Sequence, residues 1–120
     1  MGTPVVLVID THQSTRVELQ RVLEKAGCVV VCAGDAADAR RVLGTHVGGL
    51  DVAVVDEAVL EVDRDLLDAM RARSPGVRVV LTTDEHHRGG VPAAVVALRR
   101  PIHPADLTRV VVELGKLQIS

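Results

Sequence analysis

Four residues able to do chemistry stand where apolar runs stop. Asp10 follows VVLVI, Asp56 follows DVAVV, Thr82 follows VRVVL, and Arg100 lies just past the run that ends in Leu98. Carboxylates are hard oxygen ligands, while a hydroxyl and a guanidinium donate hydrogen bonds, so the four together suit a charged group held by oxygen and nitrogen contacts. Each also has an ordinary structural use. Asp10 can cap the first helix, Asp56 can open a turn, Thr82 can end a strand, and Arg100 can be a solvated cation. What gives them functional weight is convergence on one edge of one sheet, and that depends on the elements that carry them.

Those elements alternate. Residues 4–9 are solidly aliphatic and read as a strand buried on both faces. Leu19, Val22, Leu23 and Ala26 then recur at helical spacing, with Thr15 and Glu18 spaced as a capping box and Gly27 as the stop. A second strand covers 28–32. Gly34 and Asp35 are its turn and the next N-cap, and the helix through Ala39, Val42 and Leu43 stops near Gly44. After the Gly-rich HVGGL comes a third strand, 51–55, ending on Asp56, then a loop and a helix with Leu66, Leu67 and Met70. Ser74, Pro75 and Gly76 turn the chain into a fourth strand, 77–81. Residues 84–92, DEHHRGGVP, allow only a short or irregular helix before the fifth strand, 94–98. The last helix starts at Pro104, with Leu107, Val110, Val111 and Leu114 on one face. Crossovers of helical length between strands imply a parallel sheet covered on both faces, with functional groups at the carboxyl ends of its strands.

Composition narrows the chemistry. The 120 residues contain no Phe, Tyr or Trp, which excludes stacking platforms, aromatic cages and a tyrosine nucleophile. Valine fills 24 positions, and its β-branching favours strands where it clusters. A formal net charge of −2 offers no basic field for nucleic acid or anionic lipid, and no apolar run reaches membrane-spanning length. Cys28 and Cys32 would lie ~13 Å apart on one strand face, too far to bridge or to share a zinc, and read as small buried hydrophobes of a reducing, cytoplasmic setting. His12, His86, His87 and His103 fall in loops at the carboxyl edge, near Asp10, Asp56 and Asp84, where they read first as solvated loop side chains, and functionally as imidazoles that with carboxylate could accept a transition metal or respond at pH ~6.5; His46 belongs to the opposite edge.

With VVLVID, DVAVVD, VRVVLT and ALRRP in that order and spacing, the chain resembles the receiver domain of bacterial two-component response regulators over essentially its whole length, residues 1–120. The resemblance implies a flavodoxin-like, doubly wound α/β fold with a five-stranded parallel sheet of order 2-1-3-4-5 and a shortened fourth helix, the one between the fourth and fifth strands. It implies Asp56 as the phosphoacceptor, Thr82 as the hydroxyl bonding the phosphoryl group, Arg100 at the position of the family's lysine, and Pro101 as the proline after it. Mg²⁺ would be held by Asp10, Asp56 and the backbone carbonyl of Ala58. A hard divalent cation neutralises charge during in-line transfer while a fixed cation takes another oxygen.

The chain departs from that pattern where phosphorylation is done and reported. Thr11 replaces an acidic metal ligand, Arg100 replaces a lysine with a larger planar fork, and Ala97 takes the place of the switch aromatic. The loop after the acceptor reads Glu57, Ala58, Val59, Leu60, where the family often has Asp-x-x-Met-Pro. The expectation is therefore an atypical or pseudo-receiver in phosphorelay signal transduction. It is not an enzyme; it binds Mg²⁺ weakly or not at all and contacts a histidine kinase or another signalling protein. Homodimerisation through the fourth helix, fifth strand and fifth helix is a further expected association, although the short fourth helix weakens that surface. Neither nucleic acid nor membrane is an expected partner. The alternative is a competent switch phosphorylated on Asp56 by a kinase. A small nucleotide-binding enzyme of similar topology is disfavoured, because the first turn, DTHQST, has neither G-x-G-x-x-G nor a Walker lysine.

Overall fold

Valine-rich segments bury both of their faces, and this sets the architecture. A computed structural model describes residues 3–45, 48–84 and 95–117. In chain order its elements are β1 Val5–Ile9, α1 Gln13–Lys25, β2 Val29–Ala33, α2 Ala36–Thr45, β3 Val52–Asp56, α3 Glu57–Val62, α4 Leu66–Arg73, β4 Arg78–Thr83, β5 Val95–Arg99 and α5 Pro104–Leu117. The five strands pair in parallel in the order β2-β1-β3-β4-β5. The sequence places each strand within one or two residues of these bounds. The fourth crossover, residues 85–94, lies outside the described residues, as do His46, His86 and His87.

Successive strand residues point to opposite faces, so each strand feeds two cores. Leu7, Ile9, Ala53, Val55 and Val79 pack with Ala39, Val42 and Leu43 of α2, Val59 of α3 and Leu66, Leu67 and Met70 of α4. Val6, Val8, Val52, Val54 and Val80 pack on the other side with Leu19 and Leu23 of α1 and Leu107 and Val111 of α5. Cys28 and Cys32 both belong with this second core as free thiols, and burial raises the pKa of each. At roughly 1.5–3 kcal/mol per fully buried aliphatic side chain, these two layers dominate the favourable side of folding. Among the described residues, no helix is long and apolar enough to cross a membrane.

Helix ends explain where the local signals held and where they did not. α1 ends at Lys25 with Ala26 as its C-cap, and Gly27 follows at φ +93°, with Gly27 N donating to Glu24 O and Cys28 N to Leu23 O, both at 3.0 Å. That pair of bonds is the glycine stop expected from the sequence. The capping box at Thr15 and Glu18 is not formed, because α1 starts earlier, with His12 as its N-cap residue. The carboxylate of Asp10 supplies the acceptor there, taking the His12 amide at 2.8 Å. Asp35 behaves as expected at α2, accepting the Asp38 amide at 2.7 Å, while Asp38 reaches back to the Gly34 amide at 3.0 Å. In place of the expected loop after Asp56, α3 begins at once, with Asp56 as its N-cap and its side chain accepting from Ala58 N.

Candidate functional site

The parallel register sets the site. Asp56, the last residue of β3, lies beside Thr82 of β4, and Thr82 lies beside Leu98 of β5. Asp10 follows directly on β1, the other neighbour of β3, and its amide donates to Ala33 O of β2 at 3.2 Å. The sheet continues past β5 through a bond from Arg100 N to Thr83 O at 2.8 Å, which anchors the arginine over the strand ends. Asp10, Asp56 and Thr82 are buried, at 1%, 3% and 1% exposure, so the carboxyl edge holds two carboxylates away from bulk water.

Arg100 gathers them. Its Nη2 lies 2.8 Å from Asp56 Oδ1 and 3.8 Å from Asp10 Oδ2, and donates to Thr82 Oγ1 at 3.0 Å. Its Nη1 donates to Asp84 Oδ1 at 3.1 Å on the exposed rim. Burial works against the charge of this guanidinium, but the hydrogen bond to Asp56 and the fields of Asp56, Asp10 and Asp84 outweigh it and raise the Arg100 pKa above its ordinary value. Thr82 also makes a long contact of 3.5 Å to Val55 O. Asp56 Oδ1 accepts from Ala58 N at 3.2 Å as well as from Arg100.

His12 completes a group that can accept a metal ion: one ligand atom each from Asp10, His12 and Asp56 lie within 4.8 Å of one another. The imidazole is exposed, and its Nδ1 is 3.3 Å from Asp10 Oδ1. Thr11 is exposed. Ala58 is the second residue of α3 and turns its N–H toward Asp56; helical carbonyls run toward the opposite end of the helix. Beside the pocket, a groove of ≈ 280 Å³ opens between α1 and the start of α5, lined by Leu19, Val22, Arg100, Ile102, Pro104 and Leu107.

No family model and no curated protein matches the chain. Among solved structures it is similar to a response regulator receiver domain protein from Clostridium thermocellum, with TM-score 0.83 and 19% identity over 96% of each chain. It is also similar to a response regulator from Thermotoga maritima, with TM-score 0.79 and 23% identity over 96% of this chain and 99% of that one. The receiver domain of the Francisella response regulator 1452 aligns at TM-score 0.80 and 22% identity, over 97% of this chain and 99% of that one. The chain has the fold of a response regulator receiver domain.

Within this receiver fold, Asp10, Asp56, Thr82 and Arg100 meet at one pocket, joined by His12. His103 is not in that ligand group; its carbonyl accepts the Asp106 and Leu107 amides, at 3.0 and 3.1 Å, at the start of α5. Ala97 is exposed on β5, paired with Leu81. Three contributors to the receiver pocket are not evident from sequence spacing. Glu57 Oε1 accepts the Asp84 amide at 2.9 Å, tying the end of β4 to the start of α3. Asp84 gives Arg100 its outer carboxylate, and Arg16 Nη1 donates to Asp10 O at 2.8 Å from within α1. Each contact joins residues from different elements or different helical turns; Asp84 was expected at this edge and Glu57 adjoins Asp56, but no spacing indicated the bonds themselves.

Proposed function

We propose that the chain is the receiver module of a two-component signalling system, and an atypical one. It acts through contacts with a histidine kinase or another signalling protein, and Mg²⁺-dependent phosphorylation of Asp56 is weak or absent. The observation that carries this reading is the receiver fold with Asp56 at the end of β3, bonded at 2.8 Å to an arginine, and with Thr11 beside Asp10 where an acidic pair would put its second carboxylate.

The pocket suits Mg²⁺ only in part. Asp10 and Asp56 are hard oxygen donors, and in a receiver the ion would lower the charge that builds up at the acceptor. Thr11 brings no carboxylate, Ala58 offers an N–H on the Asp56 side, and the Arg100 guanidinium already bonds to the acceptor oxygen. The donor set therefore fits a small, octahedral, strongly hydrated cation poorly. Asp10 and Asp56 bring two carboxyl groups to the strand ends, and Arg100 donates beside them to Asp56 and to Thr82 Oγ1.

One observation favours the second reading, a competent phosphoacceptor. Asp10, His12 and Asp56 already bring three ligand atoms within 4.8 Å of one another. Incubation with a small phosphodonor and Mg²⁺, followed by intact mass, separates the two. The atypical reading expects little or no addition of one phosphate. Efficient addition that disappears in D56N would establish the competent switch instead.

A further inference from the structure

We propose that the Arg100 guanidinium is the resident cation of the acidic pocket: it stands in for a divalent metal ion and latches the carboxyl ends of the strands to one another without one. The inference deepens the receiver reading of this site and rests on it.

Three of the four carboxylate oxygens of Asp10 and Asp56 already face a donor. Asp10 Oδ1 takes the His12 amide at 2.8 Å, Asp10 Oδ2 faces Arg100 Nη2 at 3.8 Å, and Asp56 Oδ1 accepts from both Ala58 N and Arg100 Nη2, at 3.2 and 2.8 Å. A divalent ion ligated by Asp10 and Asp56 would have to displace the guanidinium from Asp56 Oδ1 or endure a like charge about 4 Å away. The arginine is itself held in place. Its amide is bonded to Thr83 O at 2.8 Å, its Nη2 to Thr82 Oγ1 at 3.0 Å, and its Nη1 to Asp84 Oδ1 at 3.1 Å. The planar fork is what allows this. One nitrogen serves the buried oxygens of β1, β3 and β4 while the other reaches Asp84, a span that the single nitrogen of an ammonium does not cover. Whereas a metal ion exchanges with solution, this cation is covalently part of the β5–α5 connection. The pocket keeps this counter-charge at any Mg²⁺ concentration, and the fold is insensitive to chelators.

The test is a Mn²⁺ titration followed by water-proton relaxation, with Mg²⁺ as competitor and far-UV circular dichroism as the check on folding. The wild-type chain is expected to show no saturable Mn²⁺ binding through the millimolar range. R100A, with the guanidinium gone and Asp10, His12 and Asp56 free to converge on an ion, is expected to bind at least about tenfold more tightly and to lose that binding in R100A/D56N. Equal binding by wild type and R100A, or a folded R100A that binds no better than wild type, overturns the proposal. If R100A does not fold, R100Q, which keeps most of the side chain without its charge, carries the same expectation. No phosphoryl transfer enters this measurement. Its failure leaves the receiver reading standing, and a positive phosphodonor assay leaves the metal result to be judged on its own.

Discussion

β3 has an aspartate at either end, and the two do different work. Asp51, just before the strand, is half-buried and accepts the Val5 amide through Oδ2 at 2.8 Å. Asp56, at the other end, is buried and bonded to a guanidinium. The contrast extends along both edges of the sheet. At the amino edge, Ser74 Oγ accepts the Leu50 amide at 2.9 Å and Arg73 Nε donates to Leu43 O at 3.0 Å, so side chains complete the backbone. At the carboxyl edge, Asp10, Asp56, Thr82 and Arg100 complete one another. A polar group that finishes a backbone bond can be replaced by any group of similar reach. A buried carboxylate held by a guanidinium depends on the opposite charge.

The largest expected effect comes from breaking the charged edge. R100A leaves Asp10 and Asp56 buried without their cation. A fully buried pair broken on one side costs roughly 3–5 kcal/mol, and with Arg100 27% exposed the expected loss is about 2–3 kcal/mol. Urea unfolding followed by far-UV circular dichroism measures it, because a chain without Phe, Tyr or Trp has no intrinsic fluorescence to follow. D56N in the R100A background should restore part of the loss by removing the unpaired charge. A loss that D56N does not relieve would assign the effect of Arg100 to packing and erase the contrast between the edges.

At the amino edge the counterpart is S74A. Ser74 and Leu50 are both buried, so the Leu50 amide loses its acceptor where water does not easily replace it, at a cost of about 1–2 kcal/mol in the same experiment. Metal titration and phosphodonor labelling should be unchanged in this variant. D51N is milder still. The asparagine side chain keeps a carbonyl oxygen for the Val5 amide, and stability should stay within about 1 kcal/mol of wild type. A D51N loss as large as that of R100A would show that charge, and not an acceptor of the right reach, is what the amino edge needs.

How much was legible in the sequence follows the same division. The strands were legible because valine runs between turn residues leave little else to form. Asp10, Asp56, Thr82 and Arg100 were legible because each terminates such a run, and β-strand register then brings run ends together. The start of α1 was misread for a physical reason. Thr15 and Glu18 satisfy a local pattern, but an acceptor from outside the helix, Asp10 Oδ1, lets the chain turn helical three residues sooner. Glu57 and Asp84 reach each other across 27 positions, and Arg100 and Asp84 across 16, separations at which spacing has no period to reveal a contact. The same holds for Arg40 and Asp63, which no motif connects.

Arg40 and Asp63 offer the finest sharpening of the comparison, because they repeat the chemistry of Arg100 and Asp56 outside the pocket. Nε of Arg40 donates to Asp63 Oδ2 at 2.6 Å and Nη2 to Oδ1 at 2.9 Å, joining α2 to the turn after α3. The hydrogen bonds from Arg40 hold the Asp63 carboxyl below its ordinary pKa. A carboxyl whose folded pKa lies below its unfolded value, about 3.9, contributes stability above that value and loses it as pH falls through the folded pKa. D63N should therefore lower stability slightly at pH 7 and flatten the acid limb of the stability profile below about pH 4, leaving the difference between the two chains smallest at the lowest pH. Added salt should shrink the neutral-pH difference too, since the pair is near the surface and its charges are screened. The R100A loss should resist the same salt, because Asp10 and Asp56 are shielded from it. Equal salt sensitivity in the two variants would place both ion pairs in the same solvent environment and remove burial as the property that distinguishes the carboxyl edge.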